Sequence, residues 1–296
     1  MNWAFAAGVI LGILAGASTF LGQVLQKKAV NEIPDSFVHT KYLFLLKQKT
    51  WVTGLILYIA VSTVFYMLAE FFIGPVLVPS LMTTGLIVLV IASDSLLKEN
   101  ITIREILAIL VLSAGIGFIT GSKLIITYEM IALDNHVLIY RSIGFTVAAT
   151  ALWFLFNFLV KKSIKQKAIF KALAAGFPYV LSNFWIAPLY ASILAIIHGN
   201  NSSVYLVFFI LSALILIVTN ILGITELQTA YAYGDVTVVA PVQQIPIQIA
   251  PFFYYLIFTS TFSISSLLCV SVGITMIVLS GFIMADQYAL LARHGN

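Results

Sequence analysis

Ala69-Glu70-Phe71-Phe72-Ile73-Gly74-Pro75-Val76-Leu77-Val78-Pro79 and Ala230-Tyr231-Ala232-Tyr233-Gly234-Asp235-Val236-Thr237-Val238-Val239-Ala240-Pro241 are two versions of one pattern. Each closes an apolar run, turns tightly and opens the next run with valines ending in proline. Further along, Ser113-Ala114-Gly115-Ile116 parallels Ser271-Val272-Gly273-Ile274, in the same order. The runs around these signals are long and nearly free of charge. Of 296 residues, 61% are hydrophobic and only 9% charged, against about 25% charged in a soluble domain. A water-facing surface cannot be assembled from so few charges, and apolar runs of about 18 or more residues read as membrane spans. The expectation is an all-α integral membrane protein.

Turn signals punctuate nine predicted helices, at about 3–26, 50–72, 75–97, 102–121, 136–161, 167–198, 203–233, 236–259 and 263–285. Gly74-Pro75, Lys98-Glu99-Asn100, Gly199-Asn200-Asn201-Ser202 and Gly234-Asp235 are the clearest breaks. Gly121 to Asn135 reads either as a short extension of the fourth helix or as an interfacial segment. Met1-Asn2-Trp3 carries no basic side chain and the apolar run continues past Gly22. The first helix is therefore expected to stay as a span, although Ala15-Gly16-Ala17 mimics a cleavage site.

Lysines and arginines fall almost all on one side of such a topology. Thirteen lie after the first, third, fifth and ninth helices, among them Lys27, Lys28, Lys98, Arg104, Lys161 and Lys171, against Lys123 and Arg141 on the other. This bias, and not nucleic-acid binding, is how the net charge of +4 is read. It predicts a multi-pass protein of the cell membrane with its N-terminus outside and its C-terminus in the cytoplasm. Residues 1–130 then form a first repeat of helices one to four, 131–165 a linking helix, and 166–296 a second repeat. Four crossings plus one linker turn the second repeat upside down. Inverted repeats of this kind belong to secondary transporters, whose substrate site lies near midplane between the halves.

The motifs resemble the drug/metabolite transporter superfamily, EamA-like. The resemblance is carried by Gly74-Pro75-Val76-Leu77-Val78-Pro79-Ser80-Leu81, by Leu96-Leu97-Lys98-Glu99-Asn100-Ile101-Thr102 and by Gly115. Within that superfamily the helix count, Gly22-Gln23 through Gln26-Lys27-Lys28-Ala29, and Ala230 through Pro241 are similar to the NIPA-like magnesium transporter branch. That branch carries a Gly-Glu pair and an Asn in its second helix, where this chain has Thr63-Val64 and Met67. The resemblance implies a transporter in two inverted repeats, with magnesium as one candidate cargo.

Polar groups at membrane depth are functional suspects by default. Gln243, Gln244, Pro246, Gln248 and Pro251 sit in the eighth predicted helix. Interior prolines strand carbonyls, and Gln244 and Gln248, four apart, share a face. The segment reads as a solute site, or as a kinked helix whose amides bond to neighbours. Glu226 reads as a proton or cation group, and as the metal ligand if a cation is bound; otherwise it is an interfacial carboxylate neutralised by lysine. Asn183 lies between Pro178 and Pro188 and could face a cavity. Gln23, Gln26 and Glu70 are candidate gate residues, Glu70 also reading as interfacial. Asn157 and Asn220 read as interhelix bonds. Gly8, Gly12 and Gly16 form a small-residue face for packing, internal or at a homodimer seam.

The leading expectation is a secondary transporter of a small polar or amphiphilic metabolite or a cation, with a magnesium transporter as the alternative. A lipid scramblase or an intramembrane enzyme would be a different class. No nucleophile-base set, HxxxH, CxxC or phosphate-binding loop is found, and the one cysteine, Cys269, lies in an apolar run. No cofactor is expected; the expected partners are the solute or cation and membrane lipids.

Overall fold

The computed structural model describes residues 3–33, 41–73, 78–82, 84–99, 101–122, 133, 135–163, 166–199, 202–258 and 264–294. No strand occurs among them. In chain order the helices are α1 (Trp3–Asn31), α2 (Lys41–Lys47), α3 (Lys49–Ile56), a π-helical turn (Leu57–Val61), α4 (Ser62–Ile73), α5 (Val78–Met82) and α6 (Gly85–Leu97). Then come α7 (Ile103–Gly121), α8 (His136–Lys162), α9 (Lys167–Ile197), α10 (Ser203–Tyr231), α11 (Val236–Phe258) and α12 (Ile264–His294).

Six described segments are long and apolar enough to cross a bilayer: Trp3–Asn31, Lys49–Ala69, His136–Lys162, Lys167–Ile197, Ser203–Tyr231 and Ile264–Met284. Ile87, Leu110, Phe154, Ile217 and Phe282 are each more than half exposed. Apolar side chains of this size, exposed on helix after helix, match hydrocarbon and not water. The Gly74-Pro75 turn and most of Gly121 to Asn135 lie outside the described residues.

The chain folds into two compact units. The first comprises Met1–Lys123, Gln228–Val242 and Ser265–Asn296. Its hub is α1, which packs on α3, α4, α5 and α6. The small-residue face explains how. A Cβ on Gly16 would strike the Met82 carbonyl, one on Gly85 would strike the backbone of Gly16, and one on Gly12 would press on Leu81. Two of the three glycines of that face are therefore used inside the unit. The close approach also coincides with a difference from expectation. The predicted third span, about 75–97, is divided at Thr84 into α5 and α6, and the Thr84 hydroxyl and N–H both donate to the Leu81 carbonyl. In lipid such a break is tolerated only where protein covers it, and here α1 covers it.

Two further glycine pairs approach reciprocally in this unit. Gly22 and Gly54 join α1 to α3, each Cβ position lying against the other's carbonyl. Gly115 and Gly273 do the same between α7 and α12. The two Ser-x-Gly-Ile motifs therefore lie against each other.

The second unit comprises Leu124–Leu227 and Gln243–Ile264. Here α8 packs on α9 around a core that includes Phe177, Val180, Phe184 and Trp185. Phe156 stacks on Phe177 with centroids 5.6 Å apart, and the Trp185 indole N–H donates to Thr146 at 3.1 Å. Pro178 and Pro188 lie inside a continuous α9. The prolines of α11 do not interrupt it either: Val236–Phe258 is one helix. Gly176 of α9 lies close against this helix: a Cβ there would occupy the space of the Pro246 ring and the Gln243 carbonyl.

Gly16→Ala is expected to lower the melting temperature in detergent by several degrees, because the added methyl meets backbone that cannot yield. Gly144→Ala, which meets nothing within 4 Å, is expected to match the wild type or exceed it slightly through helix propensity. A melting curve of each variant by intrinsic fluorescence checks both.

Candidate functional site

A buried polar region of the first unit lies where α10 ends and α11 begins. The turn from Ala232 to Asp235 separates them. A helix end leaves carbonyls without partners and a helix start leaves amides without partners. Partial negative charge therefore gathers at Tyr231 and partial positive charge at Val236.

A side chain of opposite sign meets each end. Lys27, near the end of α1 and only 6% exposed, donates from its ammonium to the carbonyl of Tyr231 and, at 2.8 Å, to that of Gly234. Glu99 arrives from the connection between α6 and α7. Its Oε1 accepts the N–H of Val236 at 3.0 Å, and its Oε2 accepts the N–H and hydroxyl of Thr237 at 3.4 and 3.3 Å. The connection is shaped for this. Lys98 adopts a left-handed conformation with φ of 56°, the usual helix-ending conformation but one that costs a non-glycine residue about 1 kcal/mol. On the far side, Thr102 and Glu105 form a capping box: the Thr102 N–H donates to Glu105 at 2.9 Å and the Glu105 N–H to the Thr102 hydroxyl at 3.3 Å.

An amide layer adjoins Lys27 on α1. Gln23, Gln26 and Lys27 share one face by their spacing, and both glutamines are fully buried. The Gln26 side-chain oxygen accepts from Gln228, whose own oxygen accepts the Trp51 indole N–H at 3.1 Å. Gln26 Nε2 and the Tyr231 hydroxyl are fully buried without a partner among the described residues. Buried polar atoms of this kind are rare enough to need an explanation. The π-helical turn, which contains Tyr58, passes beside Gly22 on α1.

The residues singled out from sequence are distributed as follows. Gln23 and Gln26 belong to this layer. The other predicted contacts, Glu70 apart, lie in the second unit. Gln248 donates to Gln244 at 3.1 Å, which leaves the Gln244 amide nitrogen and the Gln248 oxygen of the half-buried pair without a partner among the described residues. Gln243 is fully buried, and the Pro246 ring lies against Gly176. Glu226 forms an ion pair with Lys171, whose ammonium also donates to Asn157 at 2.7 Å. Asn220 donates to Ser182 at 2.8 Å. Asn183 is exposed on α9. The Glu70 side chain lies outside the described residues. An open cavity of about 320 Å³ runs along this unit, lined by Thr146, Thr150, Trp153, Pro178, Thr219 and Leu222 among others. No group of three or more metal-ligating side chains occurs among the described residues.

Lys27, Trp51, Glu99, Gln228 and Tyr231 escaped sequence reasoning as site residues. Lys27 and Glu99 carried a signal: each is a charge set beside a helix terminus, but its partner lies far away in the chain. Fold and site together define an all-α protein with several membrane-length apolar helices and a buried polar centre. No family model, curated protein or solved structure matches the chain.

Lys27→Met and Glu99→Gln are each expected to lower thermal stability. The double variant should lose less than the sum, with a coupling of about 1 kcal/mol or more, because both close the same turn. A double-mutant cycle from melting curves measures it; strict additivity would mean the two contacts act independently.

Proposed function

We propose that this protein is a secondary transporter of the drug/metabolite transporter type, EamA-like, working by alternating access between two inverted repeats. Its cargo is a small polar or amphiphilic metabolite or a cation. The observation that carries the reading is the buried polar centre around Gln23, Gln26, Lys27, Glu99, Gln228 and Tyr231. A protein that only had to sit in lipid would gain nothing from enclosing two charges and three amides there, since each costs free energy in hydrocarbon. The unsatisfied Gln26 amide and Tyr231 hydroxyl are suited to a solute or its water during passage. The reciprocal contact of Gly115 with Gly273 is what two repeats related by a pseudo-twofold axis would produce. In this reading the protein lies in the cell membrane, N-terminus outside, with the charged turn on the cytoplasmic side.

Magnesium is the weaker cargo. It takes oxygen ligands and keeps several waters, and the Glu226 carboxylate is already engaged by Lys171. Gln244 and Gln248 are the better solute contacts of the second unit, since their mutual bond leaves groups to offer.

The test begins with melting curves of the purified protein against magnesium, ethidium and a set of amino acids, because a ligand of the folded state raises its melting temperature. Uptake of the stabilising solute into proteoliposomes follows. Uptake is expected to fall tenfold or more in Gln244→Ala and in Gln26→Leu, with helix content by circular dichroism unchanged. Unaltered uptake in both variants would remove these amides from the path, and absence of uptake of any of the three classes would refute the reading.

A further inference from the structure

We propose that Glu99 is a proton-binding latch: as a carboxylate it holds the first turn of α11, and taking up a proton releases that turn. The proposal concerns the side chain and the turn and does not depend on what the protein carries.

Geometry supplies the argument. An N-cap is ordinarily the residue just before the helix, and Asp235 fills that place with its backbone, its carbonyl accepting from Val238 and Val239. The two amides that open the helix, those of Val236 and Thr237, are instead satisfied by a side chain 137 positions or more away. Both carboxylate oxygens are occupied, each by at least one donor. A proton on either oxygen turns an acceptor into a hydroxyl donor. The N–H facing that oxygen then meets a hydroxyl, a much poorer acceptor than a carboxylate oxygen, and the attraction between a full negative charge and the helix start disappears. Hydrogen bonds to a charged group contribute about 1.5–3 kcal/mol, so the loss corresponds to roughly tenfold or more in the opening of the turn.

The surroundings place proton uptake above the ordinary carboxylate range. Burial is the main cause, and the Asp235 carboxylate adds to it. The N–H groups of Val236 and Thr237 and the Lys27 ammonium pull the other way without cancelling it. The charged and titratable groups around Glu99 are Lys27 from α1, Asp235 from the turn and Tyr231 from α10. Glu105 on α7 is tied to Thr102 by its capping box. The sign follows from linkage. With its pKa raised by folding, Glu99 makes the folded state bind the proton more tightly than the unfolded chain does. The stability this provides is fully present below the unfolded pKa and is lost as pH rises through the folded one. Acid therefore favours the fold at this residue while loosening one helical turn. A carboxylate that served only to stabilise the fold would show no such opposition.

Hydrogen exchange of the full-length protein in lipid nanodiscs, followed as pH is lowered from neutral to acid, tests the latch. Exchange is corrected for its intrinsic pH dependence. Protection of the amides of residues 236–239 is expected to fall about tenfold on acidification along a one-proton curve. Glu99→Gln should give low protection that does not vary with pH. Asp235→Asn, which removes the neighbouring negative charge and leaves Glu99 in place, should move the midpoint to lower pH. Wild-type protection indifferent to pH, a Glu99→Gln curve like the wild type, or an Asp235→Asn midpoint that stays put would each overturn the proposal. If Glu99→Gln does not fold, the Asp235→Asn midpoint decides alone.

Discussion

The break between α10 and α11 is the constraint that organises the first unit. A helix cannot stop and restart near a membrane without exposing carbonyls on one side and amides on the other. Here the two ends are closed by side chains of opposite charge from two other segments, Lys27 on the carbonyls and Glu99 on the amides. The pairing is electrostatically matched, because each charge faces the helix end of opposite partial charge. It ties α1, the α6–α7 connection and the α10–α11 turn together. Removing either partner would leave a buried group unsatisfied, which costs more than the bond itself contributes.

Close backbone approach is the second device. Lipid gives helices little hydrophobic reason to associate, so small residues that admit van der Waals contact take over. Gly16 against Met82, Gly22 against Gly54 and Gly115 against Gly273 are such points. The first coincides with the division of the third predicted span at Thr84. The same logic applies in the second unit, where Gly176 receives the Pro246 ring. The ring stands where a side chain on Gly176 would otherwise be.

The two carboxylates that matter most sit in different chemical settings. Glu226 has a direct ion-pair partner in Lys171. Glu99 has backbone donors, a hydroxyl and only a more distant ammonium. Desolvation raises the Glu99 carboxyl, and its hydrogen-bond donors oppose that without cancelling it. One carboxylate is tied to a side-chain cation on a neighbouring helix, the other to the amides that open a helix.

Composition and hydropathy alone determined that this chain is an all-α membrane protein, because so few charges cannot cover a water-facing surface. The small-residue face of α1 and the interhelix roles of Asn157 and Asn220 were legible for the same reason: period and residue type fix which face is apolar and which polar atoms need partners. Tertiary structure decided the rest. It divided the third predicted span, kept α11 continuous through its prolines, paired Glu226 with Lys171, and turned Lys27 and Glu99 from loop charges into the two closures of one turn. These depend on atoms brought together from distant parts of the chain, and a one-dimensional pattern records a residue's own period but not the partner it will meet.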